Sequence, residues 1–527
     1  MTESSSIMIG KIGFPLGLVL VALLAISSPN IEGVQSARIL CVFPSPGRSH
    51  VMVGQTLLKA LAERGHEVTM VSPFKLSKPV PNYREIYIPA DDTVSRMTKS
   101  FLEKQTNMFK VMPTMIASVL ETANKTINDP KFLAIKNEQF DVVITGLFVA
   151  DFMLGFGPHF NAPTIALWSA GQTKFTSDLV GNPRAIEAVP HVMLGTRGPL
   201  GFVSRMKNLL IGILENVMTE FLKYKQQQYY DSNFPADKYP RYSDVRKNVS
   251  LVLLNTHFSS SGPRPYIQNV IEVGGLQIKT KPDPLPNDIQ EWLDGAEHGV
   301  IYFCLGSNLK SSDLPPEKLQ IFLKVLGKQK QRVLFKWETD SIPNQPKNFL
   351  TKKWLPQDDV LAHKNVVLFI SHGGLGGMAE ARFHAVPVLG IPIFAEQSHN
   401  VNAVEGEGWG KQLDYATLTE ESFETPLREL LTNPQYRQKV KELSELYRDR
   451  PQSAVDLACY WVEYVIRHKG APHMHYQGAE LNFIQEQMLD VVAVLLVGLF
   501  VLFKVVKFMV KALVRRVCGG RKKQKTN

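Results

Sequence analysis

Short, unbroken apolar runs that close on small or polar turns recur along this chain, with helical patterns between them. They begin with RILCVF (38–43), HEVTMV (66–71), DVVITG (141–146), APTIALWS (162–169), SLVLLNTHF (250–258) and VIEVGGL (270–276). After a break come GVIYFCLGS (299–307), RVLFKW (332–337), the start of FLTKKWLPQDDVLAH (349–363), VVLFIS (366–371) and VPVLGIP (386–392). A strand apolar at nearly every position has no face to give to water and belongs in a sheet covered on both sides. The helical patterns at 49–64, with Gly65 as its C-cap, and at 315–329, opened by two prolines, supply such covers. The expected fold class is α/β, with two facing Rossmann-like domains, each a parallel, doubly wound sheet. A chain of 527 residues exceeds one core, and the Pro-rich stretch KTKPDPLPND (279–288) marks the join. The expected domains are 37–278 and 291–450 with a linker at 279–290; 170–245 reads as mostly helical and resists finer division.

Both ends depart from this rhythm. IGFPLGLVLVALLAI (12–26) follows Lys11 and precedes small residues, which reads as a secretory signal spanning 1–36 and cleaved near Ser36. Beyond a return helix and juxtamembrane segment (451–486), the apolar stretch from Met488 supports a transmembrane helix at 487–506. The stretch from Lys504 to Asn527 carries nine Lys/Arg and no acid, which predicts a cytosolic tail (507–527) and a lumenal body. It also accounts for most of the net charge of +10, so a nucleic-acid surface is not indicated. Lys523 and Lys525 match a lysine address for the endoplasmic reticulum, and Asn124 and Asn248 head N-glycosylation sequons. Four cysteines, Cys41, Cys304, Cys459 and Cys518, are too few and too scattered for a disulfide framework.

The densest chemistry lies in LFISHGGLGGMAEARFHAVPVLGIPIFAEQSHN (368–400). His372 and its glycines fall where a strand ends and a helix begins, and free N–H groups there suit an anion. Gly373 and Gly374 let a phosphate approach the backbone, and His372 can add a hydrogen bond. Three more polar turns follow strands of the same half: LGS (305–307), WLPQ (354–357) and AEQ (395–397). They offer a hydroxyl, an aromatic plane with an amide, and an acid–amide pair suited to sugar hydroxyls. The Gly-x-Gly-x-x-Gly fingerprint and the lysine-bearing phosphate loop are missing, which disfavours a dinucleotide oxidoreductase. No His/Cys cluster has zinc spacing, so no metal is expected. In the first half, His50 follows the turn PSPGRS after the first strand, and a histidine suits proton abstraction near neutral pH. His66 reads as structural.

The span from Val366 to Asn402 resembles the signature of UDP-glycosyltransferases, with H-G-G, Glu380, G-I-P, an acid–Gln pair and Asn400. FPSPGRSH (43–50), RPYIQNVIEVGGL (264–276), VIYFCLGSN (300–308) and WLPQDDVLAH (354–363) resemble other blocks of that family, especially its insect members. The resemblance implies the glycosyltransferase B fold, with acceptor in the first half and UDP-sugar in the second. It implies that Trp354 and Gln357 face the uracil, Glu380 the ribose, Ser307, His372 and Gly374 the diphosphate, and Glu396 with Gln397 the sugar. The UDP-sugar is a co-substrate, UDP-glucose favoured, and no cofactor is implied. The reaction implied is inverting transfer to a small lipophilic acceptor, a detoxification-type chemistry, with His50 as base; a homo-oligomer is compatible with it. Glu396 stands where the family usually has Asp, and Ala385 where it has Gly. The family carboxylate that orients the histidine falls on Gly146 here, while Asp141 sits about 16 Å from the strand's carboxyl end. Asp151 is the expected substitute partner for His50, with an N-cap as its alternative role. A non-catalytic, membrane-anchored binder of UDP-sugar or lipophiles is the rival expectation.

Overall fold

The computed structural model describes residues 36–519, apart from 92, 105–107, 192–193, 195–198 and 395. The expected signal segment and lysine address lie outside these residues, the signal's last residue, Ser36, excepted. The first sheet holds seven strands in the order β3-β2-β1-β4-β5-β6-β7. They are β1 Arg38–Val42, β2 Glu67–Ser72, β3 Tyr83–Tyr87, β4 Val142–Gly146, β5 Thr164–Trp168, β6 Val249–Leu254 and β7 Val270–Glu272. The second sheet holds six, in the order β10-β9-β8-β11-β12-β13. They are β8 Val300–Cys304, β9 Arg332–Lys336, β10 Phe349–Lys352, β11 Val366–Ser371, β12 Val388–Gly390 and β13 Gly410–Gln412. Every pairing is parallel. In each sheet the order reverses beside the first strand of the half, which opens a crevice at the carboxyl ends of β1/β4 and of β8/β11.

The all-apolar strands feed two core layers each. Leu40 and Val42 of β1 pack in one layer with Val143 and Phe152, whereas Ile39 and Cys41 pack in the other with Ile144 and Leu251. In the second half Ile301 and Phe303 face one layer and Val300 and Tyr302 the other. This period-two division is what an apolar strand buried on both faces requires. Cys41, Cys304 and Cys459 are free and buried within these layers.

The chain crosses between the halves twice. It leaves the first half after β7 and returns through residues 449–453 into the helix Ala454–Arg467. Ala458, Cys459, Val462 and Val465 of that helix complete a core layer of the first half. Arg64 fastens it, donating to Asp456 at 2.7 Å and to the buried Glu463 at 3.2 Å. His66, fully buried, lies 3.6 Å from the same Glu463 and accepts from the Ala37 N–H, in keeping with a structural role. The final helix runs Leu489–Gly519; its segment Leu489–Val517 is long and apolar enough to cross a membrane.

Candidate functional site

In the first half, β1 ends in a tight turn and the helix Arg48–Glu63 starts at Gly47 with no side-chain cap. A Cβ at Gly47 would lie 2.6 Å from His50 Cδ2, so the turn holds the imidazole closely. The ring packs against Phe148, centroids 4.4 Å apart, and Nδ1 makes a short hydrogen bond with Ser169 Oγ. Phe148 follows β4 and Ser169 follows β5, so three strand ends converge on this histidine. Burial pulls its pKa down to about 4, leaving it neutral at physiological pH.

The structure does not bring Asp151 to His50. Asp151 is fully buried; it accepts from Arg246 Nε at 2.6 Å and, through its other oxygen, from the Tyr242 hydroxyl. Nor does it cap its helix: the N-cap is Ala150, and no side chain caps the turn. A buried carboxylate needs a cation and hydrogen bonds, and both come from the helix Tyr242–Lys247, which the sequence reading did not resolve. At Gly146 a Cβ would fall 2.0 Å from Phe43 Cγ, so a carboxylate there would require Phe43 to move. Asp141 accepts from the Arg38 N–H at the opposite end of the sheet. Ser169, not a carboxylate, is the residue on Nδ1.

In the second half, four turns gather at the carboxyl ends of β8, β10, β11 and β12. Gly374 is the N-cap of the helix Leu375–Phe383 and has no side-chain cap, so the first N–H groups stay open. The His372 ring lies between Gly306 and Gly374: an added Cβ would come within 2.5 Å of it at either position. Burial, and then the nearby Lys336 charge, lowers its pKa to about 4. Its buried Nδ1 has no hydrogen-bond partner. Lys336, itself buried, donates to the Gly306 carbonyl at 3.0 Å and pairs with Glu338 at 2.6 Å. This cation beneath the Gly306 turn has no signal in the sequence beyond ending a strand. Ser307 is half-buried in the same turn.

Gln357 donates to Glu380 and accepts from the Tyr302 hydroxyl at 3.2 Å. Glu380 is buried and its carboxyl is raised to about 8, by desolvation first and by Asp358 next. Trp354 is 47% exposed, one face covered by the Arg48 guanidinium 4.2 Å from its centroid. Glu396 opens the helix Gln397–Gly406; it is solvent-exposed yet walled by protein, and desolvation raises its carboxyl. Gln397 is buried, with Oε1 accepting from the Ile393 and Phe394 N–H groups at 2.8 and 3.0 Å. Asn400 donates to the Gly373 carbonyl at 2.9 Å and so joins the β11 and β12 turns.

The two sets of turns face each other. Besides Arg48 on Trp354, Gln277 Nε2 donates to the Gly376 carbonyl at 3.4 Å and Thr98 donates to the Asn308 carbonyl at 3.1 Å. Phe101 stacks on Phe394, and Leu102 enters the core of the second half. Of the sequons, Asn248 is exposed at a helix end, whereas Asn124 accepts from Asn128 and Asn233 along a helix face. Among the described residues no group of three His, Cys, Asp or Glu is assembled for a metal.

Comparisons with known proteins bear on this cleft. A family described as UDP-glucoronosyl and UDP-glucosyl transferase matches residues 38–524. UDP-glucosyltransferase 2 of Dactylopius coccus is 36% identical over 514 residues, 95% of this chain and 98% of that protein. The 2-hydroxyacylsphingosine 1-beta-galactosyltransferase of Rattus norvegicus is 31% identical, over 92% and 90% of the two chains. Among solved structures, a UDP-glucose: anthocyanidin 3-O-glucosyltransferase in complex with UDP superposes with a TM-score of 0.53 at 17% identity, over 81% of this chain and 98% of that one.

Proposed function

Because the chain belongs to the UDP-glucoronosyl and UDP-glucosyl transferase family, we propose that it transfers a hexose, with UDP-glucose as the favoured donor, to a hydroxyl of a small lipophilic acceptor with inversion. It is a glycosyltransferase of the B fold, built of two parallel-sheet domains. The observation that carries the finer reading is His50: a neutral imidazole at three converging strand ends, across the cleft from the His372 turn.

With Nδ1–H donated to Ser169 Oγ, the His50 Nε2 lone pair is free to take the acceptor proton. The acceptor oxygen forms a bond to the anomeric carbon while the bond from that carbon to the diphosphate oxygen breaks, and UDP leaves with the electron pair. The open N-terminus at Gly374, His372, Ser307 and the buried Lys336 meet the growing charge. The orphaned Nδ1 of His372 supports this assignment, because a buried ring nitrogen without a partner costs energy that a ligand could relieve. Trp354 and Gln357 are assigned to the base, Glu380 to the ribose and Glu396 with Gln397 to the sugar. The donor preference rests on the name of the insect relative, and Glu396, one methylene longer than the usual aspartate, is the position most able to alter it.

The apolar helix Leu489–Val517 anchors the enzyme in this reading, with the catalytic halves lumenal in the endoplasmic reticulum and Asn248 the better-exposed glycan site. The test offers membranes expressing the chain several UDP-sugars with a panel of phenols and steroids and reads products by mass spectrometry. UDP-glucose-dependent product is expected, and His50→Ala should reduce it on the order of a hundred- to ten-thousandfold with UDP affinity unchanged. Near-normal transfer by that variant would remove His50 as the base.

A further inference from the structure

The helix Phe202–Asn233 is inside out. Its buried positions are mostly polar or small, with Asn208, Gly212, Thr219 and Gln226 all turned to the protein. Two of them hold backbone groups. Asn208 Nδ2 donates to the carbonyls of Ile186 and Val189 at 2.6 and 2.9 Å, and Gln226 accepts from the Phe152 N–H at 3.2 Å. Between them Glu215 accepts from the Lys174 N–H at 2.7 Å and pairs with Arg184. The opposite face is apolar and uncovered among the described residues. Val203, Met206, Leu210, Ile213, Val217, Phe221 and Tyr224 recur at helical spacing and are 48–63% exposed. A water-facing helix normally shows the reverse pattern, and an apolar stripe of this length marks a contact surface.

We propose that this face lies in the interfacial region of the bilayer into which the chain's own final helix inserts, its apolar stripe at the boundary between headgroups and acyl chains and Arg205 and Lys207 at the level of the headgroups. The proposal rests on the reading of Leu489–Val517 as a span. The path of the chain supports it. Ala479 packs against Gly181, where an added Cβ would lie 2.5 Å from the Ala479 nitrogen, and Glu480 pairs with Lys247. Gly181 is in the same loop as Arg184, which is paired to Glu215 of the inverted helix. The last tethered residues before the span therefore sit beside that helix. From Glu480 to Leu489 the chain can reach at most roughly 30 Å. Along this short tether Leu481, Phe483, Ile484 and Met488 are also exposed, so the apolar surface runs on toward the membrane. Length, an apolar stripe and flanking basic residues are the marks of a helix lying in an interface.

The experiment places a nitroxide, one position at a time, on the full chain in nanodiscs at Leu210→Cys, Val217→Cys, Lys328→Cys on the second half, and Leu499→Cys within the final helix. Relaxation by oxygen and by a water-soluble nickel chelate is then compared. Leu210 and Val217 should favour oxygen over nickel several-fold relative to Lys328, as Leu499 does. Strong nickel relaxation at Leu210 and Val217 would mean a free, wet face. Weak relaxation by both reagents would mean cover by protein, from this chain or a second copy. Either overturns the proposal. Leu499 separates the two readings: nickel access there defeats the span itself, whereas lipid signals at Leu499 without them at Leu210 defeat only the interfacial helix.

Discussion

Ser169 sets how basic His50 can be. In the proposed reaction a serine oxygen accepts the Nδ1 proton but adds no negative charge, so the imidazolium formed would be stabilised less than beside a carboxylate. kcat/KM should therefore fall as the acceptor's own pKa rises, with phenols above aliphatic alcohols; a flat series would contradict this. Burial lowers the His50 pKa to about 4, so kcat/KM should hold as pH falls through 6.5 and drop only toward 4. Ser169→Asp should move that acid limb to higher pH, because a neighbouring carboxylate favours the charged ring. Ser169→Ala should cost roughly two- to tenfold in kcat, the worth of one neutral hydrogen bond, with UDP affinity intact. Asp151 belongs to stability instead. Asp151→Asn strands a buried Arg246 and should destabilise by ~3–5 kcal/mol, read as a lowered Tm, while the acid limb of the folded enzyme stays in place. An unchanged Tm would return Asp151 to the site. The sequence reading singled out His50 from its turn but not Ser169 beside it, because a lone serine after a strand carries no pattern until three strand ends are brought together.

Strands buried on both faces announce themselves, whereas of the four edge strands β7 and β10 were read from the sequence and β3 and β13 were not. β3, Tyr83–Tyr87, is mostly exposed, and β13, Gly410–Gln412, is three residues at the other sheet's border, so neither supplies the continuous apolar run by which the remaining strands were found. The inverted helix Phe202–Asn233 lies within the stretch read as mostly helical, and its bounds and facing escaped for a related reason: its pattern is amphipathic, but the side facing the protein is the polar one. The turns of the second half were readable because strand end, turn residues and helix start are adjacent in sequence. Their tightness gives two predictions. Gly374 has an ordinary extended backbone, so Gly374→Ala should leave Tm nearly unchanged while its Cβ displaces the His372 ring and weakens UDP binding. Titration calorimetry decides this, and unaltered affinity would take the ring off the diphosphate. Ala385 follows the same helix at φ 56°, a left-handed conformation that costs an alanine ~1 kcal/mol, so Ala385→Gly should raise thermal stability in denaturant melts.

The two halves share one chain in an interleaved order, and the helix Ala454–Arg467 belongs by sequence to the second half and by packing to the first. Arg64→Met removes the exposed clasp on that helix and leaves the buried Glu463 short of its partner. A loss of ~2 kcal/mol is expected, discounted for the guanidinium's exposure, and calorimetry of the full chain should show the lower Tm. This order was expected only as a return helix within 451–486, since a helix pattern does not say which core layer it completes. It also governs how the cleft can move. One covalent connection would let the second half swing and twist freely; two side-by-side crossings, after β7 and at 449–453, remove the twist. What remains is rotation about the line through both crossings, as a book turns on its spine, with Leu102 and the Phe101–Phe394 stack as the clasp at the open edge. The cleft then has a single degree of freedom, and acceptor entry, donor entry and UDP release all draw on the same opening angle.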